Sequence, residues 1–124
     1  YRTMNIEEAR LECLAMNRNV EETTPFGPEN IVMKIGGKMF ALLPLDAPDM
    51  LTVKCQPDRL TELCEQFHGI NGAYHFNKKH WLQIQYGTDV SDSMIRELIA
   101  NSYYLVSSSL PRKTREELGI TPAK

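Results

Sequence analysis

A chain of 124 residues with 42% hydrophobic and 24% charged side chains is long enough to bury one core and too short for two, which excludes a multidomain protein and a disordered one. No apolar run approaches the roughly 18–20 residues a membrane span requires, and no basic-then-apolar leader opens the chain, so the expectation is a cytoplasmic protein with no membrane partner. The net charge of −2 excludes a surface that attracts nucleic acid everywhere, yet residues 70–115 carry six basic and three acidic side chains against seven and eleven over residues 1–69, so an anionic partner would meet the second half.

Residues 1–4 read as an N-terminal remnant outside the domain. Asn5 is a good N-cap, Ile6, Ala9, Cys13 and Leu14 recur at helical spacing, and Glu7, Glu8 and Glu12 favour the positive end, predicting a helix over residues 5–16. Residues 17–30, with Pro25, Gly27 and Pro28, read as a loop anchored by Phe26. Ile31–Ile35 and Lys38–Leu43 are rich in strand formers around Gly36-Gly37, a pair suited to a two-residue hairpin turn. A strict two-residue turn sets Met33 opposite Phe40 and Ile31 opposite Leu42 on one face. Val32, Lys34, Met39, Ala41 and Leu43 then occupy the other.

Leu51, Val53 and Cys55 alternate with Thr52 and Lys54 as a third strand. Pro57 opens a helix over residues 57–67, whose buried stripe is Leu60, Leu63, Cys64 and Phe67. Gly69 and Gly72 end it, and Ala73–Phe76 is short enough to be a strand or an ordered loop. Trp81–Tyr86 is a clearer strand, with Leu82, Ile84 and Tyr86 on one side and Trp81, Gln83 and Gln85 on the other. Ser91 caps a long helix running to Pro111, with Met94, Ile95, Leu98, Ile99, Ser102, Leu105 and Val106 inward. Arg112–Leu118 adds a turn or two of helix. The expectation is a single α+β domain over residues 5–118, with residues 119–124 as a flexible tail. It has two layers, an antiparallel sheet of about five strands covered on one face by helices, in the order α-β3-α-β2-α.

Within seven positions, His75-Phe76-Asn77-Lys78-Lys79-His80-Trp81 gathers two lysines, two histidines, an amide and two aromatics. One reading is an anion site, in which Lys78 and Lys79 neutralise phosphate, Asn77 and His80 donate hydrogen bonds, and Trp81 stacks on a base. The other is a polar turn leading into a strand. Arg112, Lys113 and Arg115 form a second basic cluster, either an arm for a phosphate backbone or a balance to the negative end of the preceding helix. If Trp81, Gln83 and Gln85 project with Lys34 and Lys54, the uncovered sheet face is basic, amide-rich and partly aromatic, which suits nucleic acid. Val32, Met39, Ala41 and Leu43 on the same face suit a protein partner or a homodimer instead.

Enzyme signals are weak. The chain has no HExxH, GxSxG or GxxxxGK[ST] motif, and Gly36-Gly37-Lys38 lacks the spacing of a phosphate-binding loop. His75 and His80 have no clear third metal ligand. Cys13, Cys55 and Cys64 read as reduced core thiols. The expectation is therefore a non-catalytic protein with no metal and no cofactor.

Three segments, Pro25-Phe26-Gly27, Lys34-Ile35-Gly36-Gly37-Lys38-Met39-Phe40-Ala41-Leu42 and Tyr74-His75-Phe76-Asn77-Lys78-Lys79-His80-Trp81, together resemble the MmcQ/YjbR family. The resemblance runs from about Asn5 to Leu118. It implies a compact domain of α-β3-α-β2-α type, similar to CyaY-like or secretion-chaperone-like folds, and makes Ala73–Phe76 the fourth strand. The family is commonly described as DNA-binding through a double-wing arrangement. Carried over residue by residue, that implies contacts by Lys78, Lys79, His80 and Trp81, with Lys34 and Lys38 in the hairpin as a wing.

Overall fold

The computed structural model describes residues 4–25, 27–73 and 80–120. They form α1 (Ile6–Leu14), β1 (Glu21–Thr23), β2 (Asn30–Ile35), β3 (Lys38–Pro44), β4 (Met50–Lys54), α2 (Pro57–Gln66), β5 (Ile70–Gly72), β6 (Trp81–Gln85), α3 (Asp92–Ser108) and α4 (Arg112–Glu117). The strands make one antiparallel sheet in the order β1-β2-β3-β4-β6-β5. This is an α+β fold in two layers.

The helices begin where the caps dictate. Asn5 Oδ1 accepts from Glu8 N at 3.0 Å to start α1, and Ser91 Oγ accepts from Met94 N at 3.1 Å to start α3. Pro57 takes the first turn of α2, where its missing N–H costs nothing. Each helix buries one stripe: Ala9 and Cys13 from α1, Leu60 and Leu63 from α2, and Ile95, Leu98, Ile99, Ser102, Tyr103 and Val106 from α3. These pack on Met33, Ile35, Phe40, Ala41, Leu43, Leu51, Val53, Ile70, Leu82 and Ile84, all on one side of the sheet.

The hairpin departs from the strict two-residue register. Ile35 pairs with Lys38 and Lys34 with Met39, but Met33 pairs with Ala41 and Val32 with Leu42, so the register shifts between Met33 and Lys34 and Phe40 has no opposite number in β2. This β-bulge turns Phe40 and Ala41 toward the same side. Ala41 and Leu43 therefore lie in the core rather than with Val32 and Lys34, and Leu42 moves to the uncovered face. Phe40 is fully buried and meets the Tyr103 ring edge-on at 5.6 Å. Its carbonyl, which a bulge leaves out of the ladder, accepts from the buried Ser102 Oγ, which itself accepts from Lys54 N at 2.9 Å. One hydroxyl of α3 thus ties β3 to β4 where the ladder is irregular.

Two strands differ from the sequence expectation. Glu21–Thr23, inside the expected loop, is an edge strand on β2. Arg10 of α1 holds it by a bidentate pair to Glu22, with both N–O distances 2.8 Å. The strand before β6 is Ile70–Gly72 rather than Ala73–Phe76. Residues 74–76 lie outside the described residues, and Ala73 N continues the pairing to Trp81 O at 3.0 Å. The basic cluster at 112–115 forms the helix α4. Asn17 and Asn19 both donate to Leu118 O just beyond it, at 3.3 and 2.9 Å, and Leu118 and Ile120 pack on the core.

Candidate functional site

Side chains alternate along a strand, so the register decides which residues share the side that no described helix covers. Outward from β2, β3, β4 and β6 come Val32 and Lys34, Met39 and Leu42, Met50, Thr52 and Lys54, and Trp81, Gln83 and Gln85. Asn71 joins them from β5 opposite Gln83, and Glu21 from β1 opposite Lys34. The expected juxtaposition of Lys34 and Lys54 with Trp81, Gln83 and Gln85 is therefore present. Thr52, between Leu42 and Gln83, and Val32, between Thr23 and Leu42, are buried because their cross-strand neighbours enclose them.

Within this face, Lys34 beside Met39 and Lys54 beside Trp81 stand at the end of the sheet that carries the Gly36-Gly37 turn. All four are half-buried. Trp81 is held from both sides at backbone level, since Cys55 N donates to His80 O at 2.8 Å and Ala73 N to Trp81 O. His80 is half-buried directly ahead of it. Asn77, Lys78 and Lys79, the core of the sequence-based site, lie outside the described residues, as does His75.

Lys38 does not join Lys34. It projects from the opposite side of the hairpin, toward α3, where Nζ lies 3.4 Å from Ser109 Oγ at the C-cap of that helix. A cation there meets the negative end of the helix dipole. Arg112, three residues further on, pairs with Glu116 at 3.1 Å, Lys113 is exposed, and Arg115 is half-buried. The hairpin lysines thus serve two surfaces, Lys34 the open sheet face and Lys38 the edge of the helical layer beside α4.

Charge divides along the strand direction. The end with the Gly36-Gly37 turn carries Lys34, Lys38, Lys54, His80, Arg112 and Lys113. The turns at the other end carry Glu29, Asp46, Asp49 and Asp89, with Asp92 opening α3, and no lysine or arginine. There the Asp89 carboxylate accepts from His68 N at 2.8 Å and Gly69 N at 2.9 Å, which lowers its pKa from the ordinary aspartate value, the His68 bond first. A net charge near zero thus hides a basic and an acidic pole, a separation that a linear charge count registers only as an excess in the second half.

The cysteines are free thiols held protonated by burial. Cys13 is pushed up to about 12, and Cys55 and Cys64 are raised in the same sense, in each case chiefly by desolvation. Tyr86, buried under α1, is raised for the same reason. Among the described residues no three His, Cys, Asp or Glu side chains are grouped to hold a metal ion, and no helix is long and apolar enough to cross a membrane.

Known proteins of this kind are few in function but clear in sequence and shape. A family model described as YjbR matches residues 15–105. The uncharacterized protein YbdF of Escherichia coli O157:H7 is 35% identical over 100 residues, 80% of this chain and 82% of that protein. The crystal structure of the Deinococcus radiodurans protein DR2400, with a DUF419 domain, superimposes with a TM-score of 0.85 at 31% identity, covering 96% of this chain and 91% of that one. A Pseudomonas syringae protein solved by solution NMR is similar in fold, with a TM-score of 0.65 at 22% identity over 83% of this chain and 93% of its own.

Proposed function

The chain belongs to the YjbR family, and from that premise we propose that it is a non-catalytic DNA-binding protein of modest affinity, directed mainly to the phosphate backbone through the open sheet face. The observation that carries this reading is the strand register that sets Lys34, Lys54, Trp81 and Gln83 on one uncovered surface. Lysines there neutralise phosphate, Gln83 supplies both a donor and an acceptor, and the indole offers a face to a base. The acidic pole at the far end orients the approach by repelling a polyanion. Lys78 and Lys79, which immediately precede His80 in sequence, add positive charge on the same reading. No nucleophile is activated: the thiols are raised, not lowered, in pKa.

The test is a fluorescence-anisotropy titration of labelled DNA at two salt concentrations, with the double variants Lys34→Glu/Lys54→Glu and Lys78→Glu/Lys79→Glu beside wild type. Affinity should fall steeply with salt and drop in both variants. Absence of binding at low salt ends the reading. A second reading, a homodimer or protein-binding module, draws support from Met39, Leu42 and Met50 on the same face. It requires a mass that rises with concentration in light scattering and falls again in Met39→Glu.

A further inference from the structure

We infer that the ligand of the open face is single-stranded DNA, not a duplex; this rests on the DNA-binding reading and narrows it. A duplex is read by an element that enters a groove, most often a helix with basic residues along its exposed side. None of the described helices qualifies. α1 exposes Glu7 and Glu12 beside Arg10, α2 exposes Asp58, Glu62 and Glu65, and α3 carries Arg96 next to Glu97. α4 has three basic residues but only six positions, and two of those are Glu116 and Glu117. The basic and aromatic groups are on the sheet instead.

A sheet face holds bases only if they are unpaired and can lie flat against it. Trp81 is the chain's one tryptophan, and it stands on that face with Lys54 directly across the ladder and Gln83 two residues along. From β2, which carries Lys34, to β6, which carries Trp81, the sheet order crosses β3 and β4. Three strand spacings of about 4.8 Å give roughly 14 Å, the length of about four bases stacked at ~3.4 Å each. The ground between the lysines is Met39 and Leu42, bordered by Met50. These offer no partner to a 2′-hydroxyl, which favours deoxyribose over ribose.

The experiment compares a single-stranded DNA oligonucleotide, its duplex and the same sequence as RNA, read by anisotropy and by the intrinsic fluorescence of Trp81. Single-stranded DNA should bind at least tenfold more tightly than the duplex, quench the tryptophan as a base stacks, and gain little affinity beyond about four nucleotides. Trp81→Ala should weaken single-strand binding about tenfold, whereas Trp81→Phe, which keeps a ring and fills the same place, should retain most of it. Duplex binding as tight as single-strand binding, unquenched fluorescence at saturation, or tighter binding of RNA overturns the inference while leaving nucleic-acid binding standing. No binding to any of the three overturns the underlying reading as well.

Discussion

Lys54 and Trp81 face each other across the β4–β6 ladder on the uncovered side of the sheet, the one place among the described residues where strand pairing sets a cation against an indole. On the proposed function, Lys54 meets one phosphate. Lys54→Gln should then weaken DNA binding and reduce the slope of log affinity against log salt by about 0.7 to 0.9, the loss of one neutralised phosphate. Thermal unfolding should change by less than about 0.5 kcal/mol, because the Lys54 backbone N–H, not its side chain, is bonded to Ser102. An unchanged salt slope would remove Lys54 from the interface.

Ser102 joins the fold to that site. Its hydroxyl donates to the carbonyl of the bulged Phe40 and accepts from Lys54 N, and the side chain is wholly buried. Ser102→Ala leaves a buried carbonyl and a buried N–H without partners. Each orphaned group costs about 1–3 kcal/mol, so the variant should lose about 2–4 kcal/mol in urea unfolding. Ser102→Thr keeps the hydroxyl and adds only a methyl, and it should recover part of the loss. Equal midpoints for Ser102→Ala and wild type would show that water replaces both bonds.

Much of this was legible in residue patterns. Alternation alone puts Lys34, Lys54, Trp81, Gln83 and Gln85 on one side, and the caps Asn5 and Ser91 mark helix starts that the structure bears out. The bulge at Phe40 was not legible, because nothing in Lys38–Leu43 signals an extra residue; the signal lies on α3, where Ser102 supplies the partner the bulged carbonyl needs. One such slip reverses every face assignment beyond it, which is why Ala41 and Leu43 moved into the core. β1 escaped for the opposite reason: Glu21-Glu22-Thr23 has little strand propensity, and it pairs because β2 offers an open edge and Arg10 grips Glu22. Lys38 was grouped with Lys34 by proximity in sequence, although the turn sends the two to opposite sides.

The hairpin turn makes unequal demands on its two glycines. Gly36 and Gly37 both have positive φ, at 60° and 83°. A Cβ on Gly36 would lie 2.7 Å from Leu110 Cδ1, whereas a Cβ on Gly37 would meet nothing within 4 Å. Both alanine variants bear the left-handed backbone penalty of about 1–2 kcal/mol. Gly36→Ala must also displace Leu110, which is buried, and overpacking of that kind costs a further ~1–3 kcal/mol. Chemical denaturation should therefore rank wild type above Gly37→Ala, and Gly37→Ala well above Gly36→Ala. Equal losses for the two variants would mean that the turn does not press on Leu110.

The acidic pole makes stability depend on pH through Asp89. Its carboxylate takes the N–H groups of His68 and Gly69, joining the turn after α2 to the turn after β6. The two turns are close: a Cβ on Gly69 would fall 1.9 Å from Thr88 Oγ1. Because the bonds favour the ionised form, the folded-state pKa is depressed relative to the unfolded chain. A depressed carboxylate stabilises the fold fully above its unfolded value, about 3.9, and that contribution is lost as pH falls through the lower folded value. The urea midpoint of wild type should thus decline from about pH 5 downward. Asp89→Asn keeps one accepting oxygen but carries no titratable charge, so its midpoint should begin lower at neutral pH and decline less steeply. The two curves should draw together at the acid end, where Asp89 in wild type is protonated; parallel curves through that range would show that the His68 and Gly69 bonds do not discriminate between the charged and neutral carboxyl.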